Sequence, residues 1–280
     1  MPTKLGQNFL TDESVAKKIV ESAKLSKKDN VLEVGPGKGI LTKYLAEKAG
    51  RILAVEIDEK LAEKLLARFC HSCANRNPEK FKLSQNPWIP GLARDGKIKI
   101  ITGDILKINL PETIESNNFG SYKVVANLPY YITSKIIRLF LETKYPPREM
   151  IFMIQKEVAE RIVALDKKES ILSISVKFYA DPEIVFYVPK EKFKPIPEVD
   201  SAVIKLKRKN KIPNIDTKIF FHLVRTGFSS KRKKLINNLS SGLHLPKEEI
   251  SGILKKSGID PEVRAEKLSI ENWIKLADFF

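Results

Sequence analysis

The segment Asn127-Leu128-Pro129-Tyr130-Tyr131, directly after the apolar run Lys123–Ala126, carries the most specific chemical signal in the chain. An aromatic amine is a poor nucleophile because its lone pair is delocalised into the ring. Two acceptors aimed at its hydrogens favour the pyramidal, more nucleophilic form as a transition state develops. The amide oxygen of Asn127 and the main-chain carbonyl of Leu128 can supply that pair. Pro129 stiffens the loop through its fixed φ, and Tyr130 offers a face on which a flipped-out base can stack. Such chemistry needs no strong general base. The amine gains positive charge as an alkyl group arrives, and its proton can then leave to water. The plainer reading is a polar turn after a strand.

A second motif, Glu33-Val34-Gly35-Pro36-Gly37-Lys38-Gly39, follows an apolar run and opens a helix-like segment. Glycines there allow a sharp turn and close approach of a ligand to the backbone, and a helix N-terminus favours negative charge. About twenty residues on, an acidic pair follows, Glu56 and Asp58, and a carboxylate at that strand end can accept hydrogen bonds from both ribose hydroxyls. The glycines run 35, 37, 39 rather than G-x-G-x-x-G, so a nicotinamide cofactor is not specified. Asp104, in Thr102-Gly103-Asp104-Ile105, suits either the amino group of a cofactor's adenine or the capping of its own turn. In Phe193-Lys194-Pro195-Ile196-Pro197 two prolines hold an extended loop. Phe193 could face a bound base or anchor the loop in the core.

The elements that must position these residues alternate strand and helix. Val31–Val34, Ile52–Glu56, Ile98–Thr102, Lys123–Ala126 and Met150–Gln155 read as short buried strands; Ile40–Lys48, Glu59–Phe69 and Ser134–Leu141 read as helices. This predicts an α/β domain over 1–209, with a mainly parallel sheet covered on both faces. Ile184–Val188 and Ala202–Leu206, flanking the Phe193 loop, suit a hairpin on the sheet edge. Residues 71–97, rich in Asn, Pro and Gly, look like an inserted surface loop. Beyond Lys205–Lys211 the pattern is helical only: Lys218–Phe228, Lys231–Ser240, Lys247–Lys256 and Ile270–Phe279 predict a small all-α domain over 210–280.

With 280 residues and 42% hydrophobic content the chain can bury a substantial core. No apolar run approaches the ~20 residues that span a bilayer, and the first ten residues do not form a secretory signal. Two cysteines exclude a disulfide scaffold and suit the cytoplasm. The net charge of +16 suits a polyanion, but it is spread out: residues 210–280 hold 13 Lys and Arg against 8 Asp and Glu. Lys231, Arg232, Lys233 and Lys234, read as the start of a helix, could bind phosphates or form a solvated face. Cys70-His71-Ser72-Cys73 invites a zinc reading, but only His222 and His244 remain as further ligands. A closed site needs four suitably spaced ligands, so no metal is expected.

Taken together, these motifs resemble the ribosomal RNA adenine N6-dimethyltransferase family. The likeness is carried by Leu5–Leu10, Glu33–Gly39, Glu56-Ile57-Asp58, Gly103-Asp104, Asn127–Tyr130, Phe193–Pro197, Val199–Ala202, Phe228–Lys233 and Lys267–Ser269. It implies a Rossmann-like methyltransferase domain using S-adenosylmethionine. Cofactor contacts are implied at Asn8, Leu10, Gly35, Glu56, Asp104 and Asn127, with Gly37, Ile57 and Ile105 in the same pocket. Asn127, Leu128, Pro129, Tyr130 and Phe193 would hold the base. The stretches at 228–234 and 268–271 look like the small-subunit branch. That implies dimethylation of two adjacent adenosines in the 3′-terminal hairpin of small-subunit rRNA, during ribosome biogenesis, by a single chain. A large-subunit enzyme of the macrolide-resistance type, or a non-catalytic ribosome-assembly or transcription factor, are the alternatives. The insert at 71–97 is the departure from the family's pattern.

Overall fold

Apolar runs without polar alternation form the centre of the molecule, because only strands covered on both faces can bury every side chain. The structure, a computed structural model, describes residues 8–69, 91–93 and 97–280. Gln7, Cys70–Cys73 and all of the expected insert at 71–97 except 91–93 and 97 lie outside the described residues. The chain divides into two compact units, Met1–Lys156 with Glu183–Lys207, and Glu157–Pro182 with Arg208–Phe280.

In the first unit, β1 (Phe9–Leu10) and α1 (Glu13–Ser22) precede β2 (Asn30–Val34), α2 (Ile40–Lys48), β3 (Arg51–Glu56) and α3 (Glu59–Phe69). Then come β4 (Gly91–Ala93), β5 (Ile98–Thr102), α4 (Leu110–Ser116), β6 (Tyr122–Asn127), α5 (Thr133–Glu142) and β7 (Glu149–Gln155). After α6 (Lys156–Val163) and α7 (Ile171–Tyr179), the strands β8 (Ala180–Val188), β9 (Phe193–Lys194) and β10 (Ser201–Arg208) complete the β-structure. The main sheet has the order β4-β5-β3-β2-β6-β7-β10-β8. β5, β3, β2, β6 and β7 are parallel, while β4 and β10 pair antiparallel with β5 and β7. The mainly parallel α/β architecture expected from the sequence is thus present, and β8 and β10 are neighbours at its edge. Part of the expected surface loop at 71–97 is instead the edge strand β4.

Chain order reverses beside β2: β3 and β5 lie to one side, β6 and β7 to the other. The register aligns the carboxyl ends, with Val34 opposite both Val55 and Ala126, Glu56 opposite Thr102 and Asn127 opposite Met153. Residues that follow these strand ends therefore meet at one rim, the usual place for a ligand crevice in an open α/β sheet.

The second unit is helical, with α8 (Thr217–Gly227), α9 (Leu235–Leu243), α10 (Lys247–Lys256) and α11 (Ile270–Ala277). Its core joins Phe220, Leu223, Leu239, Leu254 and Trp273 to Ile174 and Phe178 of α7. This last contact explains why the units do not follow one cut near residue 210. The apolar side of α7 pairs with helices some forty residues further on. The ring of Phe178 lies 4.6 Å from that of Phe220 and 5.4 Å from that of Phe221.

One helix boundary differs from the sequence reading. Lys231, Arg232, Lys233 and Lys234 do not open a helix: α9 begins at Leu235, with Lys234 in extended conformation at its N-cap. Four cations in a first turn would face the positive end of the helix dipole, so the helix starts after them. All four are exposed, and Lys234 pairs with Glu262. Among the described residues no helix is long and apolar enough to cross a membrane, and no three His, Cys, Asp or Glu cluster as a metal site.

Candidate active site

The loop after β2 turns through three left-handed glycines, Gly35 (φ 63°), Gly37 (φ 58°) and Gly39 (φ 78°). At Gly39 a Cβ would stand 2.6 Å from a Leu65 methyl, so this residue lets α2 pack against α3. At Gly35 a Cβ would meet nothing within 4 Å, and the space it would fill is open cavity. The loop is tied to the neighbouring strand, with Gly35 N–H donating to the Val55 carbonyl at 2.9 Å and Gly37 N–H to Glu56 Oε2 at 2.9 Å.

Glu56 ends β3 almost wholly buried, and its Oε1 accepts from the Asp58 N–H at 3.0 Å. Burial pushes its carboxyl above the usual carboxylate range, although the Asp58 and Gly37 amides pull the other way. Each oxygen retains a further lone pair, and Glu56 lines the cavity. Asp104 follows β5 and caps its own turn, its Oδ1 accepting from Leu106 N–H at 3.0 Å, and the residue also lines the same cavity.

Asn127 ends β6. Its amide nitrogen donates to the Asn8 carbonyl at 3.4 Å, so the oxygen is the end left for another partner. Leu128 is buried and its N–H donates to Met153 O at 3.0 Å. Among the described residues neither Asn127 Oδ1 nor the Leu128 carbonyl accepts a hydrogen bond. Pro129 leads into a 3-10 turn, Tyr130–Ile132, and its carbonyl accepts from Thr133 Oγ1 at 3.2 Å. The Tyr130 hydroxyl is 2.9 Å from Ser201 Oγ, and burial raises its pKa above the usual phenol value.

The fourth side of the cavity is built from chain segments distant in sequence. β1 pairs antiparallel with β9, placing Leu10 opposite Phe193. Thr11 N–H donates to the Lys192 carbonyl at 2.9 Å, and the Lys192 ammonium binds Asp12 at 2.6 Å. That ammonium, with Ser14, holds the Asp12 carboxyl well below the usual range. Phe193 anchors the loop in the core, 3% exposed, and also lines the cavity.

Asn8, Leu10, Gly35, Gly37, Glu56, Ile57, Asp104, Ile105, Asn127, Leu128, Pro129, Tyr130 and Phe193 therefore all border one cavity within the first unit. Lys231–Lys234 do not belong to it. Sequence reasoning missed Tyr131 as a lining residue and Ser201 as the partner of Tyr130. Tyr131 carries a signal, an aromatic next to Asn127–Tyr130. Ser201 has none short of knowing which strand lies beside the loop.

A model of the family described as ribosomal RNA adenine dimethylase matches residues 1–280. The ribosomal RNA small subunit methyltransferase A of Dehalococcoides mccartyi is 43% identical over 97% of this chain and 86% of its own length. Among solved structures, a dimethyladenosine transferase from Plasmodium falciparum has a TM-score of 0.75 and 25% identity, covering 96% of this chain and 95% of that one. The 23S rRNA methyltransferase ErmE has a TM-score of 0.71 at 24% identity, over 97% of this chain and 98% of its own, and shares the fold.

Proposed function

The chain belongs to the ribosomal RNA adenine dimethylase family, and on that premise we propose that its strand-end cavity holds S-adenosylmethionine beside a flipped-out adenine of small-subunit rRNA. It is an S-adenosylmethionine-dependent rRNA adenine dimethyltransferase. The substrate we assign is a pair of adjacent adenosines in the 3′-terminal hairpin, modified during ribosome biogenesis in the cytoplasm. We assign the activity to a single chain.

The residues present fit the cofactor. A left-handed glycine opens on empty space, a buried carboxylate ends β3, and a second carboxylate ends β5. In this reading Glu56 accepts from the ribose hydroxyls and Asp104 from the adenine amino group. Gly35, Gly37, Asn8 and Leu10 close around the remainder, flanked by Ile57 and Ile105. When bound, S-adenosylmethionine supplies an electrophilic methyl group on a sulfonium. Everything else falls to the chain. Asn127 Oδ1 and the Leu128 carbonyl accept from the two N6 hydrogens of the target adenine, turning its lone pair out of the ring plane. Tyr130, fixed by Ser201, stacks on the base, and Phe193 walls the pocket behind it. Pro129 keeps the two acceptors in place. The proton released from N6 passes to water. Lys231, Arg232, Lys233 and Lys234 contact phosphates.

One observation carries this reading: two acceptors without donors among the described residues, on consecutive residues, at the rim where the glycine loop and Glu56 also arrive. The ErmE likeness concerns fold alone, whereas the 43% identical relative is named for the small subunit. The test incubates the protein and labelled cofactor with unmethylated small subunits, then identifies the modified nucleoside by mass. Dimethyladenosine is expected. Asn127→Ala should lower kcat by about 10²–10³-fold, as loss of one aimed hydrogen-bonding group does, while cofactor affinity stays within about threefold, a change under ~0.7 kcal/mol. Full activity in that variant would remove the proposed role.

A further inference from the structure

An adenine that leaves its stack to enter a pocket uncovers the face of the nucleotide beside it, and something must cover that face. Tyr131 is placed to do so. It lines the cavity yet is 62% exposed, more than any other aromatic residue among those described. Among the described residues its ring has no aromatic or cationic partner and its hydroxyl makes no hydrogen bond. An aromatic ring left mostly exposed on a cavity rim adds little to the core, and its exposure favours contact with a partner's apolar surface.

The backbone beneath it is fixed. Pro129 leads in at φ −58°, Ile132 N–H donates to the Pro129 carbonyl at 3.3 Å, and α5 follows at once. Tyr130 precedes it with its hydroxyl tied to Ser201, so two consecutive tyrosines have different surroundings, one half-buried and anchored, the other exposed and unpartnered. A planar, electron-rich side chain held this way stacks on a base without reading its identity.

We propose that Tyr131 is the stacking platform for the nucleotide adjoining the target adenosine, a positioning residue that stabilises the flipped state by replacing the lost neighbour. The inference rests on the reading above that the target adenine enters this cavity. It adds a second nucleotide contact, at the rim of the cavity.

The test uses the full protein with S-adenosylhomocysteine and a short RNA hairpin carrying two adjacent loop adenosines, one replaced by 2-aminopurine. With the probe at the target position, fluorescence should rise on binding as that base leaves its stack. With the probe at the adjoining position, it should be quenched by wild type, Tyr131→Phe and Tyr131→Trp, and not by Tyr131→Ala. Base–aromatic stacking predicts a rise of about 5–20-fold in the KM for RNA in Tyr131→Ala, larger than any change in kcat, restored by Phe or Trp. If the target-position probe does not respond to wild type, the cavity reading fails and this inference with it. If it responds but the adjoining probe is equally quenched by Tyr131→Ala, the platform alone is overturned. A weakened affinity of Tyr131→Ala for S-adenosylhomocysteine, with the RNA KM unchanged, would likewise overturn it by making Tyr131 a wall of the cofactor pocket.

Discussion

In the helical unit the buried Asn238 donates to the carbonyls of Gly227 at 2.6 Å and Ser230 at 3.0 Å, and buried Ser257 donates to Ile253 at 2.9 Å. In the α/β unit Glu33, one residue before the cavity-lining Val34, is 1% exposed and neither carboxyl oxygen has a hydrogen-bond partner. The Thr42 hydroxyl beside it is also without one. Among the described residues the helical unit leaves single atoms unpaired, Trp273 Nε1 and Glu169 Oε2, whereas in the α/β unit the whole carboxyl group of Glu33 is orphaned. An unpaired buried acid destabilises a fold and persists where the surroundings over-determine it, which happens around functional sites. The α/β unit thus keeps an unpaired acid next to its glycine loop, whereas the core of the helical unit is built from packed apolar side chains.

The largest test of that contrast is in the helical core. Trp273 is fully buried, stacked 5.8 Å from the Phe228 ring and packed against Gly227. Trp273→Ala should cost about 3–5 kcal/mol, read as a lower Tm. Well below that Tm, calorimetry should find S-adenosylmethionine bound as tightly as by wild type. A parallel loss of cofactor affinity would break the comparison, since the helical unit would then be shaping the cavity.

Glu33 sharpens it from the other side. Burial, reinforced by the nearby Glu56, raises its carboxyl from 4.5 to about 8. Between those values the folded chain keeps a proton that the unfolded chain has released. Stability therefore falls as the pH rises from 4.5 to 8. Glu33→Gln, which stays neutral, should match wild type near the lower value and exceed it by on the order of 5 kcal/mol above the upper one. Chemical denaturation across that range measures it. A constant difference at all pH values would mean that Glu33 is not held as the neutral acid.

Much of this arrangement was legible in the sequence because it is local. Strands β2, β3, β5, β6 and β7 are mainly apolar runs, and the residues that end or follow them (Gly35, Glu56, Asp104, Asn127) are the types a strand-end crevice uses. What was not legible depends on contacts between distant segments. The pairing of Leu10 with Phe193 is antiparallel contact across some 180 residues, so Phe193 could not be assigned to core or cavity beforehand. The place of α7 in the helical unit rests on Phe178 meeting Phe220 and Phe221. The late start of α9 follows from the electrostatics of four cations, against the helical spacing that Leu235, Ile236 and Leu239 extend backwards in the pattern.

Those cations give the smallest effect and a direct test of the helical unit's assigned role. Lys231, Arg232 and Lys233 are exposed, whereas Lys234 shares its ammonium with Glu262. If the first three neutralise phosphates, changing any one to Ala should reduce the slope of log affinity against log salt by about 0.7–0.9 and weaken binding of all RNA sequences alike. Lys234→Ala should change the slope less, because its charge is already partly compensated. Filter binding of a small-subunit rRNA fragment between ~50 and 200 mM salt resolves the difference. Equal slopes in all four variants and wild type would make the run a solvated face, and the helical unit would then need another surface to account for RNA binding. Equal reductions in all four would instead mean that the Glu262 pair opens when RNA arrives, a cost of under ~1 kcal/mol for an exposed ion pair.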